Sequence, residues 1–333
     1  MEFIFFLIFA IAISFFLRKF SRKIHLPQVI SLILFGLIIS LPILRPYFVD
    51  GNVDKISLLG NIALFVLMFL AGAETSWRNL LEEKKNSTYI AFFGAMIPLF
   101  LGFFLFRLFG FSTSVSMIGG VCMSITAEAT KARVLIDLGK LKTRLGAAMI
   151  GAGIIDDLIG VFIFIIVLLF FVQKIYVHEI IMVASTIAIF FIGVFFQRHF
   201  KKYSKEWHNV REFLLTAVIP FFFISLGIYF NFDSVIVNPI LLVLVIAVAI
   251  FGKIAGSLVS KKLTGFTWKQ SYLVGWAMNS RGAIELAIAL IAFKAGLIPN
   301  EVYSSLIVMA LATTLSFPFV IEKIIKNNPK IMD

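Results

Sequence analysis

The sequence predicts an all-α polytopic membrane protein with about eleven transmembrane helices, because apolar runs of spanning length recur along the whole chain. Hydrophobic residues make up 60% of the 333 residues, whereas charged residues make up only 14%. The mean hydropathy is +1.02, which is far above the value expected for a soluble protein. The predicted spans lie near residues 2–17, 28–44, 56–74, 88–109, 113–138, 142–172, 177–197, 209–230, 235–260, 268–293 and 299–321.

Positive charge is distributed unevenly between the predicted loops. Of the 30 Lys and Arg residues, 21 fall in one set of alternating loops, 5 in the other, and the remaining four in or at the ends of spans. This asymmetry is typical of membrane orientation, so the net charge of +12 does not indicate a nucleic-acid partner. It predicts a multi-pass protein of the cell (inner) membrane with the N-terminus outside and the C-terminus in the cytoplasm. The first span lacks a basic start and a cleavage site, which favours a retained helix over a signal peptide.

Two adjacent carboxylates, Asp156 and Asp157, lie within an apolar segment that runs from about Leu145 to Val172. An aspartate near the bilayer centre costs roughly 2.5–3.5 kcal/mol on insertion scales, so acids at that depth are usually functional. The alternative is a pair of acids at a helix end that reaches the interface. Apolar residues flank both sides of the pair, and they favour a buried site for a cation or a proton.

The predicted span 113–138 becomes polar after Met123, where hydroxyl and charged side chains crowd together: Ser124, Thr126, Glu128, Thr130, Lys131 and Arg133. A continuous lipid-facing helix does not carry such residues at that depth. A broken helix, whose free backbone lines a water-filled cavity, tolerates them. The broken helix is favoured for Thr126 and Glu128. An amphipathic helix end near the cytoplasm is an equal alternative for Lys131 and Arg133.

A matching polar interruption occurs in span 268–293, at Asn279 and Ser280. Gly282 frees the backbone beside them. Arg281 and Glu285 are four residues apart, so they can form a pair on one helical turn. Polar breaks on two oppositely directed spans are typical of transporters built from inverted repeats, and they indicate the binding site.

The topology predicts two inverted triples of spans, each with the broken helix in the middle. These triples are assigned to residues 88–172 and 235–326 as the core repeats, with residues 1–87 as scaffold and dimerisation helices and 173–234 as a linker helix and shortened scaffold. Lys253 lies among small and apolar residues in the second triple. It is interpreted as the counter-ion of the buried carboxylates, and the alternative is a lysine that snorkels to the cytoplasmic interface.

Further motifs stand in order along the chain. They are Leu26-Pro27-Gln-Val-Ile-Ser-Leu-Ile-Leu-Phe-Gly36, Phe69-Leu-Ala-Gly72-Ala-Glu74-Thr, Thr126-Ala-Glu-Ala-Thr-Lys-Ala-Arg-Val-Leu135, Ile154-Ile-Asp156-Asp157, Pro220-Phe-Phe-Phe-Ile-Ser-Leu-Gly227, Gly252-Lys253 and Ser280-Arg281-Gly282. Together they resemble the monovalent cation:proton antiporter superfamily, in its sodium/proton and Kef-like branch. The resemblance covers nearly the whole chain, and the paired aspartates with the later lysine are its most specific feature.

The resemblance implies the sodium/proton antiporter fold, in which two inverted repeats with crossed, partly unwound helices move against a dimerising scaffold. It implies a secondary active antiporter that exchanges Na⁺ for H⁺ by alternating access, with no resident cofactor and with a homodimer in the lipid bilayer. Asp157 would bind the cation or the proton in competition, and Asp156 would pair with Lys253.

The resemblance also assigns roles to the two breaks. The segments around Thr126 and Ser280 would supply hydroxyl and carbonyl oxygens, and Glu128 and Glu285 would offset the positive half-helix ends. In one respect the chain departs from the family, because two helices between the linker helix and the Phe-rich helix are missing. Here 178–197 leads through a basic loop straight to 211–230. The loss falls in the scaffold, so the ion site is expected to be retained.

Other functions remain open alternatives. A K⁺/H⁺ antiporter would use the same site, and a non-transporting homologue could act as a membrane sensor or subunit. An intramembrane aspartyl protease is disfavoured because it needs two carboxylates around one water, whereas neighbours on one helix diverge by about 100°. A channel would not explain a lysine placed to neutralise the acids. The lone Cys122 is expected to serve helix packing.

Overall fold

The structure is a computed structural model that describes residues 3–23, 27–74, 83–141, 143–171, 177–202 and 204–332. Helices are the only regular elements in these residues, so the all-α prediction is confirmed. Six helices in the described part are long and apolar enough to cross a membrane, and three shorter apolar helices accompany them. The count of about eleven spans stays a prediction. Arg78, Lys142 and Lys174, which entered the charge tally, lie outside the described residues.

The α-helices of the described residues are numbered from the N-terminus. In chain order they are α1 (Phe3–Lys23), α2 (Gln28–Ile39), α3 (Arg45–Phe48), α4 (Val53–Glu74), α5 (Lys84–Leu108), α6 (Thr113–Ser124), α7 (Glu128–Asp137), α8 (Arg144–Phe171), α9 (Val177–Lys202), α10 (Ser204–Phe213), α11 (Pro220–Ile228), α12 (Phe232–Val237), α13 (Pro239–Thr264), α14 (Trp268–Ala277), α15 (Ala283–Lys294) and α16 (Asn300–Asn327). A π-helical turn, Leu214–Val218, joins α10 to α11, and a 3₁₀ turn, Pro329–Met332, follows α16.

The chain divides into two compact units. Unit 1 comprises Met1–Thr75 and Ile180–Phe230, and unit 2 comprises Ser76–Glu179 and Asn231–Asp333. In unit 1, glycines bring helix backbones close together: a Cβ added at Gly36 of α2 would lie 2.3 Å from the carbonyl oxygen of Ile224 in α11. A Cβ at Gly72 of α4 would lie 2.0 Å from the carbonyl oxygen of Phe190 in α9. Such small residues allow close packing where lipid provides no hydrophobic drive for helix association.

Unit 2 contains the two triples that the sequence predicts. A helix of 25 residues, a pair of half-helices of 12 and 10 residues and a helix of 28 residues form the first triple. A helix of 26 residues, a pair of half-helices of 10 and 12 residues and a helix of 28 residues form the second. Both middle members are interrupted, as predicted, between Ser124 and Glu128 and between Ala277 and Ala283.

The first helices of the two triples, α5 and α13, pack against each other through glycine. A Cβ added at Gly252 would lie 2.8 Å from Cβ of Pro98, and one at Gly256 would lie 2.4 Å from the carbonyl oxygen of Phe93. This close approach leaves no room for larger residues at either position. Lys253 follows Gly252 directly and is fully buried, so the close packing of α13 on α5 fixes the position of its side chain in the interior of unit 2.

Two predicted boundaries were wrong. The second span was expected to reach residue 44, but α2 ends at Ile39 because Pro42 disfavours helical backbone in the residue before it. The basic segment after residue 197 was expected to be a loop. It is helical in α9 as far as Lys202 and again in α10 from Ser204. The segment contains neither Gly nor Pro, so its charged residues are compatible with a helix.

Candidate ion-binding site at the crossing of two broken helices

The two interrupted helices meet through their extended segments. The backbone N–H of Ala127 donates a hydrogen bond of 2.8 Å to the carbonyl oxygen of Ser280, and the Ser280 hydroxyl donates one of 2.8 Å to the carbonyl oxygen of Ala127. The Thr126 hydroxyl donates to the carbonyl oxygen of Met278 at 3.2 Å. Backbone groups that the helix breaks release are therefore paired across the crossing, as burial requires. Gly282 packs on Ala127 there, since a Cβ at Gly282 would lie 2.5 Å from Cβ of Ala127.

Four half-helix ends converge at this crossing, and Arg281 neutralises one of them. Its Nη1 donates to the carbonyl oxygens of Met123 at 2.9 Å and Ile125 at 2.7 Å, and it lies 3.4 Å from that of Cys122. These carbonyls belong to the C-terminal end of α6, which lacks intrahelical partners and carries partial negative charge. A guanidinium is well suited to this position because it presents several donors in a fixed geometry.

Arg281 and Glu285 lie within ion-pair distance, with Nη1 of Arg281 3.5 Å from Oε2 of Glu285, and both side chains are buried. Glu285 lies in the first turn of α15, where its charge offsets the positive helix end. The backbone of Arg281 is held by Thr314 of α16, whose hydroxyl oxygen accepts from the Arg281 N–H at 3.0 Å. The sequence predicted the pair with Glu285, but it did not indicate that Arg281 also caps α6.

Lys253 and Asp156 form a fully buried ion pair. Nζ of Lys253 lies 3.2 Å from Oδ2 and 3.5 Å from Oδ1 of Asp156. The same ammonium donates to the Thr126 hydroxyl oxygen at 2.8 Å and to the carbonyl oxygen of Ser124. Lys253 therefore joins the last carbonyl of α6 to the first aspartate, and its ammonium does not extend to an interface.

Asp157 has a different environment from Asp156. It lies on the next position of α8, it is partly exposed, and no described residue donates a hydrogen bond to its carboxylate. The charged groups around it are Glu128, Asp156, Lys131 and Lys253. Of the two aspartates, only Asp156 is thus engaged by an ammonium among the contacts of the described residues.

The hydroxyls of Thr126 and Ser280 hold the crossing together. Neither one, among the contacts of the described residues, reaches the carboxylate of Asp157. The structure thus brings Thr126 to the Asp156–Lys253 pair and leaves Ser280 at the backbone of the first break. Their assignment as cation ligands stays a prediction.

For Lys131 and Arg133 the sequence left a helix end near the cytoplasm as an equal alternative. The structure shows that one of the two residues is exposed and the other is buried. Arg133 is exposed and donates to Asp137 at 3.0 Å on the same helix. Lys131 is fully buried, and its Nζ donates to the sulfur of Met278 at 3.3 Å. Lys131 lies three positions after Glu128, so one face of α7 carries both side chains towards the crossing. An exposed helix end has the same spacing of charged residues, so the sequence did not distinguish Lys131 from Arg133.

No group of three or more His, Cys, Asp or Glu side chains in the described residues is arranged to hold a metal ion.

Comparisons with known proteins identify the family of the chain. A family described as sodium/hydrogen exchanger, transmembrane, matches residues 6–177 and 162–326. The Na⁺/H⁺ antiporter of Enterococcus hirae is 25% identical over 363 aligned residues, which cover 92% of this chain and 94% of that protein. The Na⁺/H⁺-K⁺ antiporter GerN of Bacillus cereus is 24% identical over 352 residues, 90% of each chain.

A solved structure has the same fold. The sodium proton antiporter MjNhaP1 from Methanocaldococcus jannaschii at pH 8 superposes with a TM-score of 0.71 at 15% identity, over 99% of this chain and 98% of that one. At this identity the likeness concerns the fold alone.

Proposed function

Because the chain belongs to the transmembrane sodium/hydrogen exchanger family, we propose that it exchanges Na⁺ for H⁺ across the membrane by alternating access. The observation that carries this proposal is the contrast between the two aspartates. Asp156 is fully buried and engaged by Lys253, whereas Asp157 is partly exposed beside the helix crossing. Asp157 is therefore the proposed shared site at which a cation and a proton exclude each other.

The contrast has a physical basis. A carboxylate that is already neutralised by an ammonium gains little from a second cation, and its ligands would have to be rearranged first. The carboxylate of Asp157 is not neutralised in this way, because no described residue donates a hydrogen bond to it. A proton or Na⁺ can each neutralise it, so binding of one lowers the affinity for the other. That competition is the minimum requirement for coupled exchange.

Roles for the two units follow from where the site lies. We assign unit 2, which contains both broken helices, as the ion-carrying core, and unit 1 as the scaffold. We also propose that the scaffold forms the homodimer interface and that the C-terminus faces the cytoplasm. The charge asymmetry of the loops supports that orientation.

Sodium is the proposed cation because the relatives are named mainly as Na⁺/H⁺ antiporters, although two of the names include K⁺. The test is proton flux in proteoliposomes, followed by an internal pH dye, with Na⁺, Li⁺ or K⁺ added in turn. We expect added Na⁺ to dequench the fluorescence of the dye, and the rate of dequenching to saturate as the Na⁺ concentration rises. Flux with K⁺ alone would replace the sodium assignment, and the absence of flux with every cation would indicate a non-transporting homologue.

A further inference from the structure

Lys131 is a fully buried cation that the exchange mechanism above does not use. It lies on α7, just after the first helix break, and its ammonium donates to the Met278 sulfur at 3.3 Å. A thioether is a weak acceptor, whereas an ammonium has three donors. A buried ammonium in such surroundings requires nearby negative charge for its stabilisation.

Glycine on α8 makes room for this side chain. A Cβ added at Gly153 would lie 3.0 Å from Nζ of Lys131 and 3.4 Å from Cβ of Glu128. Gly153 is four residues before Asp157, so both positions lie on one face of α8. The Lys131 ammonium and the Glu128 side chain therefore pack one helical turn away from the proposed exchange site. The carboxylates whose charge acts on Lys131 are Asp156, Glu128 and Asp157.

A count of charge gives Lys131 a quantitative role. The described residues around the crossing include four carboxylates, Asp156, Asp157, Glu128 and Glu285, and three cations, Lys131, Lys253 and Arg281. With all of them ionised, one negative charge remains. One monovalent ion at Asp157 brings the group to neutrality, which is the least costly state for charges in a membrane.

We propose that Lys131 is a tethered countercharge that determines cation affinity at Asp157 and limits the site to one monovalent ion. Without its positive charge the group would carry two negative charges and would bind Na⁺ more tightly. Release of the ion would then become harder, and turnover would fall. This inference rests on the proposed exchange function, and it assigns Lys131 as a specificity-determining residue that acts through the field at the site.

The test compares the Na⁺ affinity of four variants of the full chain with that of the wild type. Lys131→Met removes the charge and retains the length of the side chain, and Glu128→Gln removes the opposing charge. The double variant removes both, and Arg133→Gln on the exposed side of α7 is the matched control. Na⁺ dissociation constants are measured by calorimetry on purified protein under mildly alkaline conditions, where protons compete least. The Na⁺ concentration dependence of exchange in proteoliposomes provides KM and kcat.

We expect Lys131→Met to bind Na⁺ at least about tenfold more tightly, and a tenfold change in the dissociation constant corresponds to about 1.4 kcal/mol. The KM and the kcat of exchange should both be lower. Glu128→Gln should bind about tenfold more weakly. The double variant should return to within about threefold of the wild type, because the count of charge is restored. Arg133→Gln should behave as the wild type.

Several outcomes would overturn the proposal. Unchanged or weaker Na⁺ binding in Lys131→Met, with an active wild type, would show that Lys131 serves packing alone. If Lys131→Met does not fold, the double variant and Glu128→Gln still decide, since a packing role predicts no opposite shifts. A wild type that binds and moves no alkali cation would instead contradict the exchange function itself, which separates the two failures.

Discussion

Replacing Asp157 with asparagine is expected to abolish Na⁺-driven proton flux in proteoliposomes while the protein remains folded. The amide has nearly the same shape as the carboxylate, but it carries no charge for the cation and cannot take up a proton at neutral pH. Because Asp157 is partly exposed and receives no hydrogen bond from the described residues, the substitution breaks no contact there. We expect exchange to fall at least about a hundredfold, to background, since both roles reside in one group.

Asp137→Asn is the matched control for that experiment. Asp137 lies at the end of α7 and pairs with Arg133 at the surface, so its loss should leave exchange near the wild-type rate. Near-normal transport by a folded Asp157→Asn protein would remove Asp157 from the site, and Glu128 would be the next carboxylate to test.

Replacing Lys253 with alanine is expected to lower thermal stability strongly. The substitution leaves Asp156 as an uncompensated charge in the interior and removes a donor from both Thr126 and the Ser124 carbonyl. Breaking a buried pair in this way typically costs about 3–5 kcal/mol. The melting temperature of purified protein should therefore fall by several degrees, with or without Na⁺.

Lys326→Ala provides the comparison for Lys253. Lys326 pairs with Glu322 at 2.6 Å, but both side chains are largely exposed, and such pairs contribute about 0–1 kcal/mol. Its melting temperature should be close to that of the wild type. An equally small change in melting temperature for Lys253→Ala would mean that the Lys253 ammonium does not form an ion pair with Asp156.

The two helix breaks could be predicted from the sequence because their signal is local. Hydroxyls, charges and glycine at Thr126 and at Ser280–Gly282 contradict the apolar pattern of a membrane span, and the cost of exposing them to lipid is large. Arg281 with Glu285 was also a local prediction, since four positions make one helical turn. Each of these inferences needs only the period of a helix and the polarity of the bilayer.

The capping of α6 by Arg281 could not be predicted from the local sequence. The guanidinium contacts carbonyl groups 156 to 159 positions earlier in the chain, and backbone carbonyls carry no sequence signal. Burial of Lys131 depends in the same way on Gly153 in another helix. A polar helix end and a buried countercharge have the same local pattern, so only packing distinguishes them.

If Na⁺ and a proton compete for Asp157, Na⁺ binding must release protons from the wild-type protein. Calorimetric titration of the purified protein with Na⁺, in two buffers of different ionisation enthalpy, measures that release. We expect proton release from the wild type to approach one proton per bound Na⁺ as the pH is lowered, because a protonated ligand must lose its proton to bind, and we expect neither binding nor release in Asp157→Asn. Na⁺ binding without proton release at every pH at which the protein is folded, or unchanged release in Asp157→Asn, would contradict the account.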